Sequence, residues 1–216
     1  MKLRSYEAFW LLKNGLMNSY PSLQEDIKCD IAVVGAGITG ALISHTLHKA
    51  GYNTVVIDKR DVAAGSSSAT TSMLQYEIDT PMVDLAEMIG EEGAVISYKA
   101  GIESLQILEN LIREENIDGG FGIKKSLKLS HSKENIEKLK EEYHFRKKHF
   151  FNVEWLTSGE IKERYKINSY DGILSAEGAS IDAFMLTHEL FYKNHKRGLR
   201  IYDHTEIKKI TYGENF

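Results

Sequence analysis

Gly35, Gly37 and Gly40 follow the apolar run Ile31-Ala-Val-Val34 at the spacing GxGxxG, and Asp58 stands eighteen positions after the last of them. Glycines placed in this way can hold a diphosphate. The first permits a tight turn, the second lets the main chain approach a pyrophosphate with no side chain between, and the third lets a helix pack closely on the strand it leaves. Free amides and the dipole at the start of that helix then stabilise negative charge. Asp58, closing the next strand, offers acceptor oxygens to an adenosine ribose. A second run, Ala63 to Met73, is small and hydroxyl-rich, and its Ser66, Ser67, Ser68, Thr70 and Thr71 could hydrogen-bond a long diphosphate chain extending away from the helix.

Other reactive side chains form no comparable pattern. His45 and His48 lie three apart with no third ligand at metal-binding spacing, so no metal site is expected and both read as solvated helix histidines. His188, His195 and His204 accompany no nucleophile or carboxylate arrangement, and catalytic residues are not assigned. Cys29 lacks CxxC or Cys/His spacing and reads as a small buried hydrophobe at a strand entrance. Phe150, Phe151 and Trp155 read as packing aromatics. Gln75 and Tyr76 follow the hydroxyl-rich run closely enough to border an active site.

A βαβ unit has to position the glycines. Cys29 to Val34 is continuously apolar, as in a strand buried on both faces. Ile38 to Lys49 predicts a helix closed by Gly51, and Asn53 to Asp58 a second strand. Phe9, Leu12, Leu16 and Tyr20 suggest an amphipathic helix ending before Pro21. Helical periodicity runs from Pro81 to about Asn116, with a strand over Phe121 to Leu129. Lys133 to Lys148 reads as a surface helix, whose Glu134–Lys138 and Glu142–Arg146 pairs mark a solvated face. A short helix follows over Ser158 to Tyr165, a strand over Gly172 to Ser175, a helix over Asp182 to Lys193 and a strand over Leu199 to Tyr202. Glu206 to Tyr212 reads as the first arm of a hairpin with only Phe216 left to return, so the sequence is expected to be a fragment of a longer protein.

Composition narrows the function classes. Hydrophobic residues at 42% and charged residues at 27% are those of a folded globular chain, and a formal charge of -4 gives no basic surface for nucleic acid or anionic membrane. One cysteine allows no intrachain disulfide, and the apolar patch Phe9 to Leu12 is too short to span a bilayer, so a cytoplasmic site is expected. The same glycine motif serves FAD and nicotinamide cofactors alike. The hydroxyl-rich loop favours FAD, because a nicotinamide-binding fold would continue directly into another crossover helix. An NAD(P)-binding dehydrogenase and a catalytically incomplete FAD-binding fragment remain as alternatives.

Over roughly Cys29 to Ile210, the sequence resembles the D-amino-acid oxidase-like FAD-dependent oxidoreductases, a group that takes in glycine and sarcosine oxidases and glycerol-3-phosphate dehydrogenase. The motifs that carry the resemblance are Val34-Gly-Ala-Gly-Ile-Thr-Gly40, Ile57-Asp-Lys-Arg60, Gly65-Ser-Ser-Ser-Ala-Thr-Thr-Ser-Met-Leu74 and Gly178-Ala-Ser-Ile-Asp182. It implies that Gly35, Ala36, Gly37, Ile38, Thr39 and Gly40 hold the FAD pyrophosphate and that Asp58, with Lys59 and Arg60, holds the ribose. It implies further that Ser66, Ser67, Thr70 and Thr71 wrap the flavin side, that Met73 lies near the isoalloxazine ring, and that Ile207 touches adenine through its backbone. The family more often has Glu where this chain has Asp58. The implied fold is α/β, a Rossmann-like FAD-binding domain with an inserted, incomplete α+β substrate domain. Its expected layout is a helical extension over 1–27, FAD-binding parts over 28–90 and 172–216, and part of a cap over 91–171. The implied activity is hydride transfer to flavin from a small amino acid or secondary amine, with glycerol 3-phosphate as the alternative substrate. The implied partners are a small-molecule substrate and a missing C-terminal half carrying the substrate-binding residues.

Overall fold

In the computed structural model, which describes residues 7–213, the chain divides into two units. The first takes the residues up to 72, with 115–119 and those from 182 onward; the second takes 73–114 and 120–181. Among the described residues no helix is long and apolar enough to cross a membrane.

The first unit is built on Thr54-Val-Val-Ile57, four β-branched residues that form the middle strand of a parallel sheet. This strand, β2 (Thr54–Ile57), lies between β1 (Ile31–Val34) and β9 (Arg200–Tyr202). Val55 and Val56 expose no surface, as expected for a strand covered on both faces. β1 departs from that expectation. It is an outer strand with only Val33 buried, and Val34 is 65% exposed. Cys29 before it is half-buried. Helix α2 (Ile38–Lys49) connects β1 to β2, ending where Gly51 takes a φ of +89°. Helix α7 (Ala183–Lys196) precedes β9 and packs against α2. His45 is therefore not solvated. It is buried, with Nδ1 3.1 Å from the Asn194 amide nitrogen and Nε2 4.0 Å from Glu115.

Two expectations at the ends of this unit need correction. Helix α1 (Phe9–Asn14) stops well before Tyr20, because Gly15 turns to a φ of +67°. Its apolar stripe is not a buried face, for Phe9, Leu12 and Leu16 are exposed and only Tyr20 is buried. At the other end, Glu206 to Tyr212 forms no strand, since none of the described residues pairs with it. The returning arm at Phe216 lies outside the described residues.

In the second unit, β3 (Met73–Gln75) and β4 (Gly122–Ile123) flank β8 (Gly178–Ser180), all antiparallel. Similarly, β5 (Ser126–Leu129) and β6 (Val153–Leu156) flank β7 (Gly172–Ser175). The one strand expected over 121–129 is thus two, in different sheets. The one helix expected after Pro81 is also two, α3 (Met82–Ile89) and α4 (Glu91–Glu115), parted where Gly90 takes a φ of +85°. Helix α6 (Ser158–Tyr165) begins at a capping box between Thr157 and Glu160.

Helix α5 (Ile136–Lys148) overturns the reading of a solvated charge pair. Leu139, Glu142 and Arg146 share one face, and that face is inward: Arg146 is wholly buried and Glu142 nearly so. Arg146 Nε donates to Glu142 Oε1 at 2.6 Å and Nη1 to Glu77 Oε1 at 3.3 Å. The Glu142 carboxylate also accepts the first amides of α3, from Met82 and Val83, at 3.0 Å each. Lys138 pairs with Asp84 at 3.0 Å, not with Glu134. Tyr76, Met82, Tyr98, Leu139, Phe151 and Ile173 form the core around these charges. Tyr76 donates to Ser175 Oγ at 3.3 Å, so it is a core residue of this unit, whereas Gln75 is exposed. Phe150, expected to pack, is 93% exposed at a φ of +65°.

Candidate dinucleotide-binding site

The turn from β1 into α2 puts each motif residue to a distinct use. Gly35, at a φ of +111°, donates its amide to the Ile57 carbonyl at 2.8 Å and so closes the turn onto β2. Gly40 is the position with no room: a Cβ there would overlap the Gly35 carbonyl group. Gly37 is the N-cap of α2 and supplies no side-chain cap of its own. Ser67 supplies one from a distance. Its Oγ accepts the Ile38 amide at 3.0 Å and lies 3.1 Å from where a Cβ on Gly37 would sit.

Asp58 is held by main chain on both oxygens. The Ala36 amide donates to Oδ2 at 2.7 Å and the Arg60 amide to Oδ1 at 2.8 Å. Its own amide donates to the Tyr202 carbonyl at 2.9 Å, and its carbonyl accepts the Thr205 amide at 2.8 Å. A carboxylate has about four acceptor directions, so the two amides leave capacity for hydroxyl donors.

The hydroxyl-rich run is a 3-10 turn over Ser66–Ala69. Ser67 and Ser68 are buried in it, and Ser68 Oγ donates to the Gly65 carbonyl at 2.8 Å. Ser66, Thr70 and Thr71 are exposed beside it, as are Thr39 in the first turn of α2 and Lys59 and Arg60 after Asp58. Ile207 is 38% exposed in the segment after β9. Met73 belongs to the second unit, where it is exposed on β3. The first unit thus brings together the glycine turn, Asp58 and the serine turn. A helix start whose Ile38 amide is met only by a hydroxyl oxygen, a floor too tight for any residue but glycine, and hydroxyls at the same turn form a donor set that fits a diphosphate.

Several groups here left no trace in motif spacing. Trp10 Nε1 donates to the Thr70 carbonyl at 2.8 Å, and Asp203, buried after β9, accepts the Tyr20 amide at 2.7 Å. Both partnerships span long stretches of sequence, and no local pattern reports them. Asp61, Asp203 and His204 lie together, with His204 Nε2 3.0 Å from Asp61 Oδ1. His188 is buried, with no hydrogen-bond partner on either ring nitrogen among the described residues, and burial pushes its pKa down to about 4 against a weaker opposing pull from Asp61. Asp182 sits below the usual carboxylate range: burial raises it, and the Met185 amide, Asn14 and Lys13 together outweigh that.

Known proteins place this geometry. The sequence profile of the FAD dependent oxidoreductase family matches residues 30–215. The glycine oxidase of Geobacillus kaustophilus (strain HTA426) is 29% identical over 189 residues, covering 84% of this chain and 47% of that protein. The crystal structure of the glycine oxidase from Geobacillus kaustophilus superposes with a TM-score of 0.68 at 25% identity, over 83% of this chain and 47% of that one. A Bacillus subtilis (strain 168) protein that carries a provisional Rieske 2Fe-2S iron-sulfur name is 30% identical over 112 residues, 52% of this chain and 22% of that protein. The L-alpha-glycerophosphate oxidase of Mycoplasma pneumoniae, solved with FAD bound, shares the fold with a TM-score of 0.73 at 15% identity, over 88% of this chain and 48% of that one. The chain spans less than half the length of these curated relatives.

Proposed function

The chain belongs to the FAD dependent oxidoreductase family, and from that membership we propose that it holds FAD for an enzyme oxidising a small amino acid or secondary amine. The observation that carries the reading is the Ile38 amide at the helix start, already accepted by a hydroxyl oxygen where a phosphate oxygen would accept it. Gly35, Ala36, Gly37, Ile38, Thr39 and Gly40 present the pyrophosphate site. Asp58 takes the ribose, with Lys59 and Arg60 beside it, and Ile207 meets adenine through its backbone. Ser66, Ser67, Thr70 and Thr71 serve the flavin side of the diphosphate, and Met73 borders the isoalloxazine ring. The flavin, when bound, takes hydride from a C–H bond next to nitrogen, while the protein sets orientation and electrostatics. In this reading the first unit is a Rossmann-like FAD-binding domain and the second is part of an inserted substrate domain. Likeness to a glycine oxidase supports the amine class.

The test uses the full-length protein, purified, desalted and examined by visible absorption. Flavin bands that persist support the cofactor, and anaerobic bleaching by glycine or sarcosine supports the substrate class. Bleaching by glycerol 3-phosphate alone overturns the amine reading. A folded protein that retains no flavin and takes up none when FAD is added overturns the cofactor reading.

A further inference from the structure

Residues 8–23 lie ahead of the stretch that the family profile matches, yet they are fastened to the first unit at four places. Trp10 Nε1 donates to the Thr70 carbonyl at 2.8 Å, one residue past the serine turn. Lys13 Nζ and Asn14 Nδ2 both donate to Asp182 Oδ2 at 2.9 Å. The Tyr20 amide donates to the buried Asp203 carboxylate at 2.7 Å, and the Leu23 amide to Thr205 Oγ1 at 2.9 Å. Lys13 also stands 5.0 Å from the Trp10 ring centroid, which links the first two anchors.

Apolar burial does not explain the attachment of α1. None of the residues of α1 is buried, and Phe9 and Leu12 are 64% and 69% exposed. A six-residue helix is also far below the length that is stable alone. Tyr20, buried with its ring 5.3 Å from that of His195, is the apolar anchor at the far end; polar bonds hold the rest of the segment, and they end on both flanks of the candidate site. Thr70 continues the turn whose Ser67 caps α2, and Thr205, the acceptor for Leu23, donates its own amide to the Asp58 carbonyl at 2.8 Å.

We propose that residues 8–23 form a clasp that fixes the serine turn against the start of α2 and so slows loss of FAD. Trp10, Lys13 and Asn14 are positioning residues that act through Thr70 and Asp182, without touching the cofactor themselves. The inference rests on the flavin reading for its consequence, but not for the contact it describes.

The full-length protein and its Trp10→Phe, Lys13→Met and Lys13→Arg variants test it. Two readouts are taken: FAD dissociation followed by flavin fluorescence, and amide hydrogen exchange in FAD-free protein. Trp10→Phe, which keeps an aromatic ring but loses the indole N–H, and Lys13→Met should each release FAD about fivefold faster, the effect of losing one hydrogen bond. Lys13→Arg should stay within twofold of the parent. Exchange should rise at residues 66–72 and stay unchanged in β1 and β2. Unchanged dissociation in both weakened variants overturns the proposal, as does faster exchange spread evenly over the first unit, which marks a merely structural role. If the parent binds no FAD, the flavin reading fails and the exchange pattern alone decides whether the clasp holds the turn.

Discussion

Ser67 accepts the Ile38 amide in a place where a phosphate oxygen, being charged, would accept it more strongly. Ser67→Ala should therefore cost about 1 kcal/mol in urea unfolding of FAD-free protein, as loss of a helix cap does, and clearly less with FAD present. An equal cost in both states would mean that the serine serves only the turn. His188 sets a second expectation. Its ring is neutral when folded, with a pKa of about 4, against 6.5 when unfolded. Between those values the unfolded chain binds the proton and the folded chain does not, so stability rises with pH across that window and is complete above it. His188→Leu should flatten the dependence of urea unfolding on pH between 4 and 6.5; an unaltered slope would assign it to other groups. The glycine turn was legible because each spacing states a local steric need. The asparagine beside His45 and the tryptophan beside Thr70 were not, since their partners lie 149 and 60 positions away.

Among the elements, α2, α6 and β7 follow the sequence closely because glycine or a capping threonine punctuates them. Helix α5 does not, since a Glu–Arg pair four apart looks the same on paper whether water or core lies opposite. Its Arg146 stands 5.2 Å from the Tyr98 ring and 5.8 Å from the Tyr76 ring, and joins Glu142 to Glu77. Arg146→Met leaves two buried carboxylates without their cation and should cost about 3–5 kcal/mol. Denaturant unfolding checks this, and a loss under 1 kcal/mol would show that water reaches the pair. Gly90 explains another misread element, because a positive φ interrupts a pattern whose apolar spacing carries on.

At the scale of the molecule, four crossings of the chain divide it into two units, and the hydroxyl-rich run ends at the first of them. Family membership was legible, since strand, glycine turn, helix and acidic residue occur in one short stretch. FAD bound only to the folded form should stabilise the full-length protein by about 2.7 kcal/mol at about a hundred times Kd. Differential scanning fluorimetry should show the shift, and its absence at saturating FAD would contradict the site. The strand order carries a consequence for synthesis. In the finished sheet Val55 pairs with Arg200 and Ile57 with Tyr202, so one edge of β2 has no partner while everything between is translated. At about 5–20 residues per second that interval is on the order of ten seconds. For that time the nascent chain presents Val55 and Val56, fully buried later, along an open strand edge, the stage at which a ribosome-associated chaperone has most to gain by binding it.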